Sequence, residues 1–172
     1  MLCGNWLLSL FARPNDKDDR SGVPYELAAS EMVSRVLYST RQFSRSRMRP
    51  QPGAFDPSPH MELSGIHITG LQEPAIWEVA RNTLGTRPGR TTIYARADVL
   101  VDALIAQKLQ SIRDDCPFVR HTSVKGWPRL ADPDQQKERW KAICLALSES
   151  RDISLVVPTD PIRADKGNSQ ET

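Results

Sequence analysis

The sequence predicts an α/β fold, a single layered domain in which a sheet of about four strands is covered by three to four helices. After residue 60, segments that alternate like strands and segments with helical spacing follow one another in turn. Hydrophobic residues make up 39% and charged residues 26% of the chain, a composition typical of globular proteins. A length of 172 residues supports one hydrophobic core but not two comfortable domains. Antiparallel pairing of some neighbours would make the sheet mixed.

Both ends of the chain are set apart from the predicted domain, which spans residues 22–157. Residues 1–21 begin with a short apolar run and end in a charged linker. No basic residue precedes the run and no small-residue cleavage site follows it, so it does not predict a signal peptide. It is also shorter than the ~20 residues that a membrane span requires. We therefore expect a loosely ordered extension at the amino end, and a disordered polar tail over residues 158–172.

The first part of the domain is predicted to contain one helix and one strand. Residues 25–37, YELAASEMVSRVL, place their apolar side chains at helical spacing and predict a helix. Residues 40–61 are rich in Arg, Ser and Pro and predict a long loop. The segment LSGIHIT then alternates like a strand, with Ile66 and Ile68 on one side and His67 and Thr69 on the other.

The second part predicts alternating helices and strands. EPAIWEVARNTL predicts a helix with Pro74 in its first turn, and TTIYARA predicts a strand. Asp98 is predicted to cap the following helix, VLVDALIAQKL. QSIRDD is a candidate short edge strand, and FVRHTSVKG is a further strand. Asp132 is a good helix start for the last helix, after which ISLVV predicts a final strand.

The number and spacing of the cysteines predict a cytoplasmic protein. Together with the histidines, they predict that the protein holds no metal, and no other cofactor is expected. Cys3, Cys116 and Cys144 are odd in number and far apart, which favours free thiols in a reducing compartment. No C-x-x-C pair and no close pair of histidines offers a metal site. No Gly-rich phosphate loop occurs either.

The segments YARAD and RHTSVKGWP resemble a group of small bacterial proteins for which no activity is established. These proteins share an Arg-Ala-Asp step after a strand and a His-x-x-Ile/Val-x-Gly-Trp-Pro signature before the last helix. The resemblance covers about residues 26–157 and places a histidine of the signature at His121. It implies no reaction.

Arginine predicts the leading function, which is non-enzymatic binding of an anionic partner. Most of the 23 basic residues are arginine, and no acidic residue occurs between residues 33 and 55. Guanidinium groups form bidentate contacts with phosphate and carboxylate, so the expected partner is a nucleic acid or a phosphorylated ligand. The alternative is that the loop is simply solvated. The candidate anion-binding residues are Arg41, Arg45, Arg47, Arg49 and Arg96.

Two histidines support an alternative, enzymatic hypothesis. His67 and Thr69 share one face of a predicted strand, and His121 and Ser123 share one face of another. The pattern resembles the paired His-x-Thr/Ser motifs of two-histidine phosphoesterases. There, one histidine would act as general base and the other as general acid on a phosphodiester. This hypothesis requires both imidazoles to line one cleft.

Trp127 supports a third hypothesis, a protein-interaction module. The residue precedes Pro128 at the predicted end of a strand, and an exposed tryptophan there would anchor an interface. The alternative is a buried tryptophan that closes the edge of the domain.

Overall fold

A seven-stranded antiparallel sheet forms the centre of the protein, which a computed structural model describes over residues 23–84 and 89–164. Its seven strands are β1 (Tyr25–Glu26), β2 (Met32–Leu37), β5 (Leu63–His67), β7 (Ala95–Leu100), β8 (Gln110–Arg113), β9 (His121–Lys125) and β10 (Ile153–Val156). Their order in the sheet is β1-β8-β9-β5-β2-β7-β10, and every neighbouring pair is antiparallel. Two small sheets pair β3 (Phe43–Ser44) with β4 (Arg49–Pro50) and β6 (Thr92–Ile93) with β11 (Ile162–Arg163). The helices are α1 (Glu73–Arg81), α2 (Val101–Ile105) and α3 (Pro133–Glu149).

The predicted fold class is wrong in its sheet. The prediction had about four strands covered by three to four helices, whereas the main sheet has seven strands and the described residues contain three α-helices. The largest single error is residues 25–37, which contain β1 and β2 rather than a helix. Strand β2 lies between β5 and β7, and four of its six residues are buried. A strand covered on both faces shows no polar–apolar alternation, so its pattern is easily mistaken for a buried helix.

Other local predictions are confirmed. Strands occur at Leu63–His67, His121–Lys125 and Ile153–Val156, and α1 begins one residue before Pro74. The side chain of Asp132 accepts hydrogen bonds from the first backbone N–H groups of α3. The segment QSIRDD does form a strand, but β8 lies between β1 and β9 and is not an edge.

The two faces of the sheet are covered by different helices. Helix α3 packs on one face, which we call the α3 face, and α1 packs on the other, the α1 face. Buried side chains of the α3 face include Leu37, Leu63, Ala97, Val124 and Leu155, with Ile143 and Leu147 from α3. Buried side chains of the α1 face include Val36, Ile66, Ile68 and Ile93, with Ile76 and Ala80 from α1. Because burial of one such aliphatic side chain stabilises by roughly 1.5–3 kcal/mol, both layers contribute to the fold.

The two ends of the chain differ in what can be described. The predicted extension, residues 1–21, lies outside the described residues. The predicted tail is described as far as residue 164, and there Ile162 pairs with Ile93 and Arg163 with Thr92. This part of the tail is therefore a short strand and not disordered. No helix in the described ranges is long and apolar enough to cross a membrane.

Candidate active site

The structure places His67 and His121 on opposite faces of the sheet. Strands β5 and β9 are neighbours, and His121 lies directly opposite Ile66. Residues opposite each other on paired strands share a face, and consecutive residues on one strand alternate between faces. His121 therefore projects to the α1 face with Ile66, and His67 projects to the α3 face. The two-histidine phosphodiesterase hypothesis is wrong, because it requires both imidazoles in one cleft.

The register of three strands collects a different set of polar side chains on the α1 face. Ser64 of β5 lies opposite Ser123 of β9, and this pair is two residues along the strands from the pair of Ile66 and His121. Asp114 directly follows β8, and its backbone N–H donates to the carbonyl of His121 at 3.1 Å, which continues the β8–β9 ladder by one pair. Ser64, Asp114, His121 and Ser123 thus share one face of the sheet as neighbours or near neighbours.

These side chains form a Ser–His–Asp chain of hydrogen bonds. Nε2 of His121 lies 3.3 Å from Oγ of Ser64, and Nδ1 lies 2.5 Å from Oδ1 of Asp114. The second oxygen of Asp114 accepts a hydrogen bond from the hydroxyl of Ser123 at 3.1 Å. The imidazole of His121 is buried, with 6% of its surface exposed.

The partners of His121 determine which ring nitrogen is a base. A carboxylate only accepts hydrogen bonds, so the neutral imidazole carries its proton on Nδ1 and donates it in a hydrogen bond to Asp114. Nε2 then carries the lone pair and faces the hydroxyl of Ser64. This is the arrangement in which a histidine can remove the proton of a serine nucleophile while an aspartate holds the ring in place.

The β8–β9 connection fixes the orientation of the imidazole. Phe118 contacts the ring of His121 edge to face, with centroids 5.0 Å apart and planes at 86°. The carboxylate of Asp115 accepts hydrogen bonds from Nε of Arg113 and from the backbone N–H of Arg120. Both Asp115 and Arg120 have positive φ, so these side-chain contacts stabilise a left-handed turn at each end of the loop.

Ser64 is held by its backbone. Strands β2 and β5 pair only at Val33–His67 and Ser34–Ile66, so they separate before Ser64 is reached. In the gap, Nη1 of Arg35 donates to the carbonyl of Ser64 at 2.9 Å, and its Nε donates to the carbonyl of Ala54. The gap leaves the hydroxyl of Ser64 accessible from the α1 face, since the side chain lines a cavity there.

The cavity has a volume of about 230 Å³, slightly below the roughly 300–1,000 Å³ of typical small-molecule sites. It is bordered by the Ser–His–Asp chain, by Phe118 and by polar side chains from the loop before β5 and from residue 90. Those polar lining residues are Ser58, His60, Glu62 and Arg90. No cluster of His, Cys, Asp and Glu within the described ranges could hold a metal ion. The site therefore offers a serine hydroxyl, the thiol of Cys116, an imidazole base and one arginine.

The predicted anion-binding arginines lie elsewhere. Arg41, Arg45, Arg47 and Arg49 are exposed around the β3–β4 hairpin, which lies beside β10 and α3. Since the cavity lies over β5, β8 and β9, these arginines do not line it.

Arg96 is not available to a ligand. Its side chain is 2% exposed, Nε donates to both oxygens of Asp98, and Nη1 and Nη2 each donate to one oxygen of Glu73. Its guanidinium carbon also lies over the ring of Trp77, 4.5 Å from the centroid. The prediction of an anion-binding Arg96 is therefore wrong, because two carboxylates of the protein already occupy it. The same contacts correct the predicted cap, since Asp98 lies inside β7 and not at a helix start.

Two further predicted residues have structural roles. Trp127 is 4% exposed, belongs to the core of the α3 face and donates from Nε1 to the carbonyl of Val124. Its predicted role as an interaction residue is wrong, because the ring is buried. The hydroxyl of Thr69 accepts a hydrogen bond from the backbone N–H of Met32 at 2.8 Å and thereby ties the end of β5 to β2.

His67 is enclosed on the α3 face. Nη1 of Arg113 donates to Nδ1 at 3.2 Å, and Oε1 of Glu31 lies 3.0 Å from Nε2. Because an arginine can only donate, Nδ1 is an acceptor and the neutral ring carries its proton on Nε2, next to Glu31. That N–H is not well aligned with the carboxylate, so the contact with Glu31 is electrostatic and not a hydrogen bond. Burial lowers the pKa of His67, and Arg120 and Arg113 lower it further, against the opposing effect of Glu31.

Ser64 and Asp114 were not predicted as site residues, and Arg90 belongs to an arginine-rich stretch of the sequence but was not among the predicted anion-binding residues. Ser64 stands inside the strand that was predicted correctly, and Asp114 stands at the end of the candidate strand QSIRDD. Recognition of β8 and β9 as a hairpin would have placed Asp114 opposite His121. Nothing in the sequence around Ser64 distinguishes it from other serines on strands.

No protein-family model, no curated protein and no solved structure matches the chain. The resemblance to a group of bacterial proteins therefore stays a prediction.

Proposed function

We propose that the protein is a hydrolase of ester-like acyl compounds, with Ser64 as nucleophile, His121 as general base and Asp114 as the residue that orients the imidazole. The observation that carries the proposal is the continuous Ser64–His121–Asp114 hydrogen-bond chain that lines a cavity.

The reaction has two steps in which His121 moves a proton each time. In the first step Oγ of Ser64 attacks the acyl carbon while Nε2 of His121 takes the hydroxyl proton. The bond to the leaving alcohol then breaks, and that alcohol leaves with the proton from Nε2. In the second step Nε2 of His121 takes a proton from a water molecule, whose oxygen attacks the acyl carbon of the acyl-serine. The bond from that carbon to Oγ of Ser64 then breaks, Oγ receives the proton back from Nε2, and the acid is released. Asp114 stabilises the imidazolium that forms in each step.

Ser123 acts as a positioning residue in this mechanism. Its hydroxyl donates to the oxygen of Asp114 that does not face His121, so the carboxylate is held from two sides. A carboxylate that is fixed in this way keeps its lone pair directed at Nδ1 and maintains the required tautomer.

The proposal is tested with a fluorophosphonate probe and with 4-nitrophenyl butyrate. Attack by Oγ of Ser64 on phosphorus would expel fluoride and leave a stable adduct, which mass spectrometry locates. We expect Ser64→Ala to remove the adduct, and Ser64→Ala or His121→Ala to lower kcat/KM at least about 1,000-fold. Ser46→Ala is the matched control, because Ser46 is exposed and lies outside the cavity. Unchanged hydrolysis in a folded Ser64→Ala variant would refute the proposal.

A second candidate function is binding of an anionic macromolecule at the β3–β4 hairpin. The specific observation is that Arg41, Arg45 and Arg47 are exposed in a stretch without acidic residues. Fluorescence anisotropy with a single-stranded oligonucleotide would test it. Binding through phosphates should weaken steeply between 50 and 200 mM salt and should be lost in the triple alanine variant. Salt-independent binding, or none, would exclude this function.

A further inference from the structure

We propose that Arg90 binds a second, ionised group of the substrate, so that the preferred ester has a short acyl chain ending in a carboxylate or phosphate. The choice of ester rests on the proposed function, whereas the anion site rests on the contacts of Arg90 alone. Arg90 borders the cavity that contains Ser64, and it also borders a small adjoining cavity lined by Tyr38, Thr83 and Phe118. Ser64, Arg90 and Phe118 are common to both.

Arg90 is held on an aromatic platform. Its guanidinium carbon lies 4.6 Å from the centroid of the Tyr38 ring. The hydroxyl of Tyr38 donates to Oγ1 of Thr83 at 2.5 Å, and the hydroxyl of Thr83 in turn donates to the carbonyl of Ala80 at 2.6 Å. A guanidinium over an aromatic ring interacts with the face of the ring, and this contact does not use the hydrogen-bonding capacity of its N–H groups.

Arg96 in the same protein shows what such a guanidinium binds. It stacks on Trp77 at 4.5 Å, as Arg90 stacks on Tyr38, and its edges are filled by the carboxylates of Glu73 and Asp98. In the part of the chain that the structure describes, Arg90 makes the aromatic contact but no ion pair with a carboxylate. A carboxylate or phosphate of a bound ligand would be complementary to these N–H groups.

The acidic groups of the cavity contact other side chains of the protein. Both oxygens of Asp114 are occupied by His121 and Ser123, and Glu62 faces Lys125 at 3.4 Å. The other titratable lining groups are the exposed side chains of His60 and Cys116, and neither is a carboxylate. A volume of about 230 Å³ admits a chain of only a few carbon atoms between the acyl carbon and the anionic group.

The experiment compares two esters of equal chain length, 4-nitrophenyl hydrogen succinate and 4-nitrophenyl butyrate. We expect Arg90→Gln to lower kcat/KM for the succinate ester about 10-fold or more and to change that for butyrate little. Arg90→Lys should restore part of the loss, because it keeps the charge without the bidentate edge. Arg151→Gln is the matched control, because Arg151 is exposed and is not among the residues lining the cavity.

Binding of succinate itself separates this proposal from the hydrolase proposal. Calorimetry with the Ser64→Ala variant should show succinate binding that is lost when Arg90→Gln is added. If hydrolysis depends on Ser64 but the ratio of kcat/KM for the two esters does not depend on Arg90, the proposed anion site is wrong and the proposed roles of Ser64, His121 and Asp114 stand. If neither ester is hydrolysed but Arg90-dependent succinate binding persists, the triad is wrong and the anion site stands. If succinate does not bind and neither ester is hydrolysed, both proposals are wrong.

Discussion

Replacement of Arg96 by methionine should strongly destabilise the protein. Arg96 and Asp98 are 2% and 6% exposed, and Nε of Arg96 is the only side-chain group within the described residues that donates to the Asp98 carboxylate. Arg96→Met would leave that carboxylate buried without its cation. Removal of one partner from a buried pair costs about 3–5 kcal/mol of unfolding free energy, because the remaining charge stays desolvated. Glu73 is 54% exposed, so Glu73→Gln should cost about 1 kcal/mol or less although it also contacts Arg96.

Urea unfolding followed by tryptophan fluorescence measures these differences, with the slope m compared between variants. The double variant Arg96→Met/Asp98→Asn tests the cause directly. It should be more stable than Arg96→Met by about 1–3 kcal/mol, because the buried charge is removed as well. A loss below about 1 kcal/mol in Arg96→Met, or a double variant that is no more stable than Arg96→Met, would refute this account.

Three further predictions concern glycine, histidine and cysteine. Gly65→Ala should destabilise by about 1–3 kcal/mol, because the added Cβ would lie 2.4 Å from Cγ1 of Val33. Gly53→Ala should have little effect, since its Cβ would meet only Asp56 at 3.6 Å. His67 has a pKa below its ordinary value in the folded state, so the unfolded chain binds more protons at acid pH. The free energy of unfolding should therefore fall as the pH drops below about 6.5 towards the folded pKa, and His67→Gln should remove that contribution. Burial raises the pKa of the Cys144 thiol to about 12, so maleimide at pH 8 should modify the exposed Cys116 and leave Cys144 unmodified until the protein unfolds.

Each of these has a defined failure. Equal stability of Gly65→Ala and the parent protein would show that β2 and β5 tolerate the methyl group by a small shift. An unchanged acid slope in His67→Gln would assign the slope to carboxylates. The cysteine experiment is done in a Cys3→Ser background, and rapid labelling of Cys144 in the native state would contradict its burial.

The sequence predicted local elements better than their assembly. Helix α3 was predictable because Asp132 and Pro133 give a strong start signal and its apolar residues recur at helical spacing. Strand β2 was not, because Val33 and Val36 are buried on opposite faces of the central sheet and leave no alternation to detect. Without β2, the chain reads as strands separated by helices, and that reading leads to the wrong sheet.

Only part of the candidate site could be predicted from the sequence, namely the part that lies within one strand. The faces of His121 and Ser123 follow from strand periodicity within a single segment. Which strand lies beside them, and in which register, depends on contacts between segments more than 50 residues apart, such as Ser64 with Ser123. Sequence periodicity carries no information on that pairing, so His67 was grouped with His121 and Ser64 was overlooked.

Which residues of β5 line the cavity depends on whether they stand at even or odd positions of the strand, because alternate side chains face opposite sides of the sheet. On β5, Ser64 and Ile66 face α1, whereas Leu63, Gly65 and His67 face α3. A one-residue insertion or deletion between the strands that shifts β5 by one step would exchange the two sets. His67 would then point towards His121, and Ser64 would move into the core. The same β5 residues could thus place either Ser64 or His67 beside His121. Whether the connecting loop is lengthened by an odd or an even number of residues decides which of the two pairs is formed.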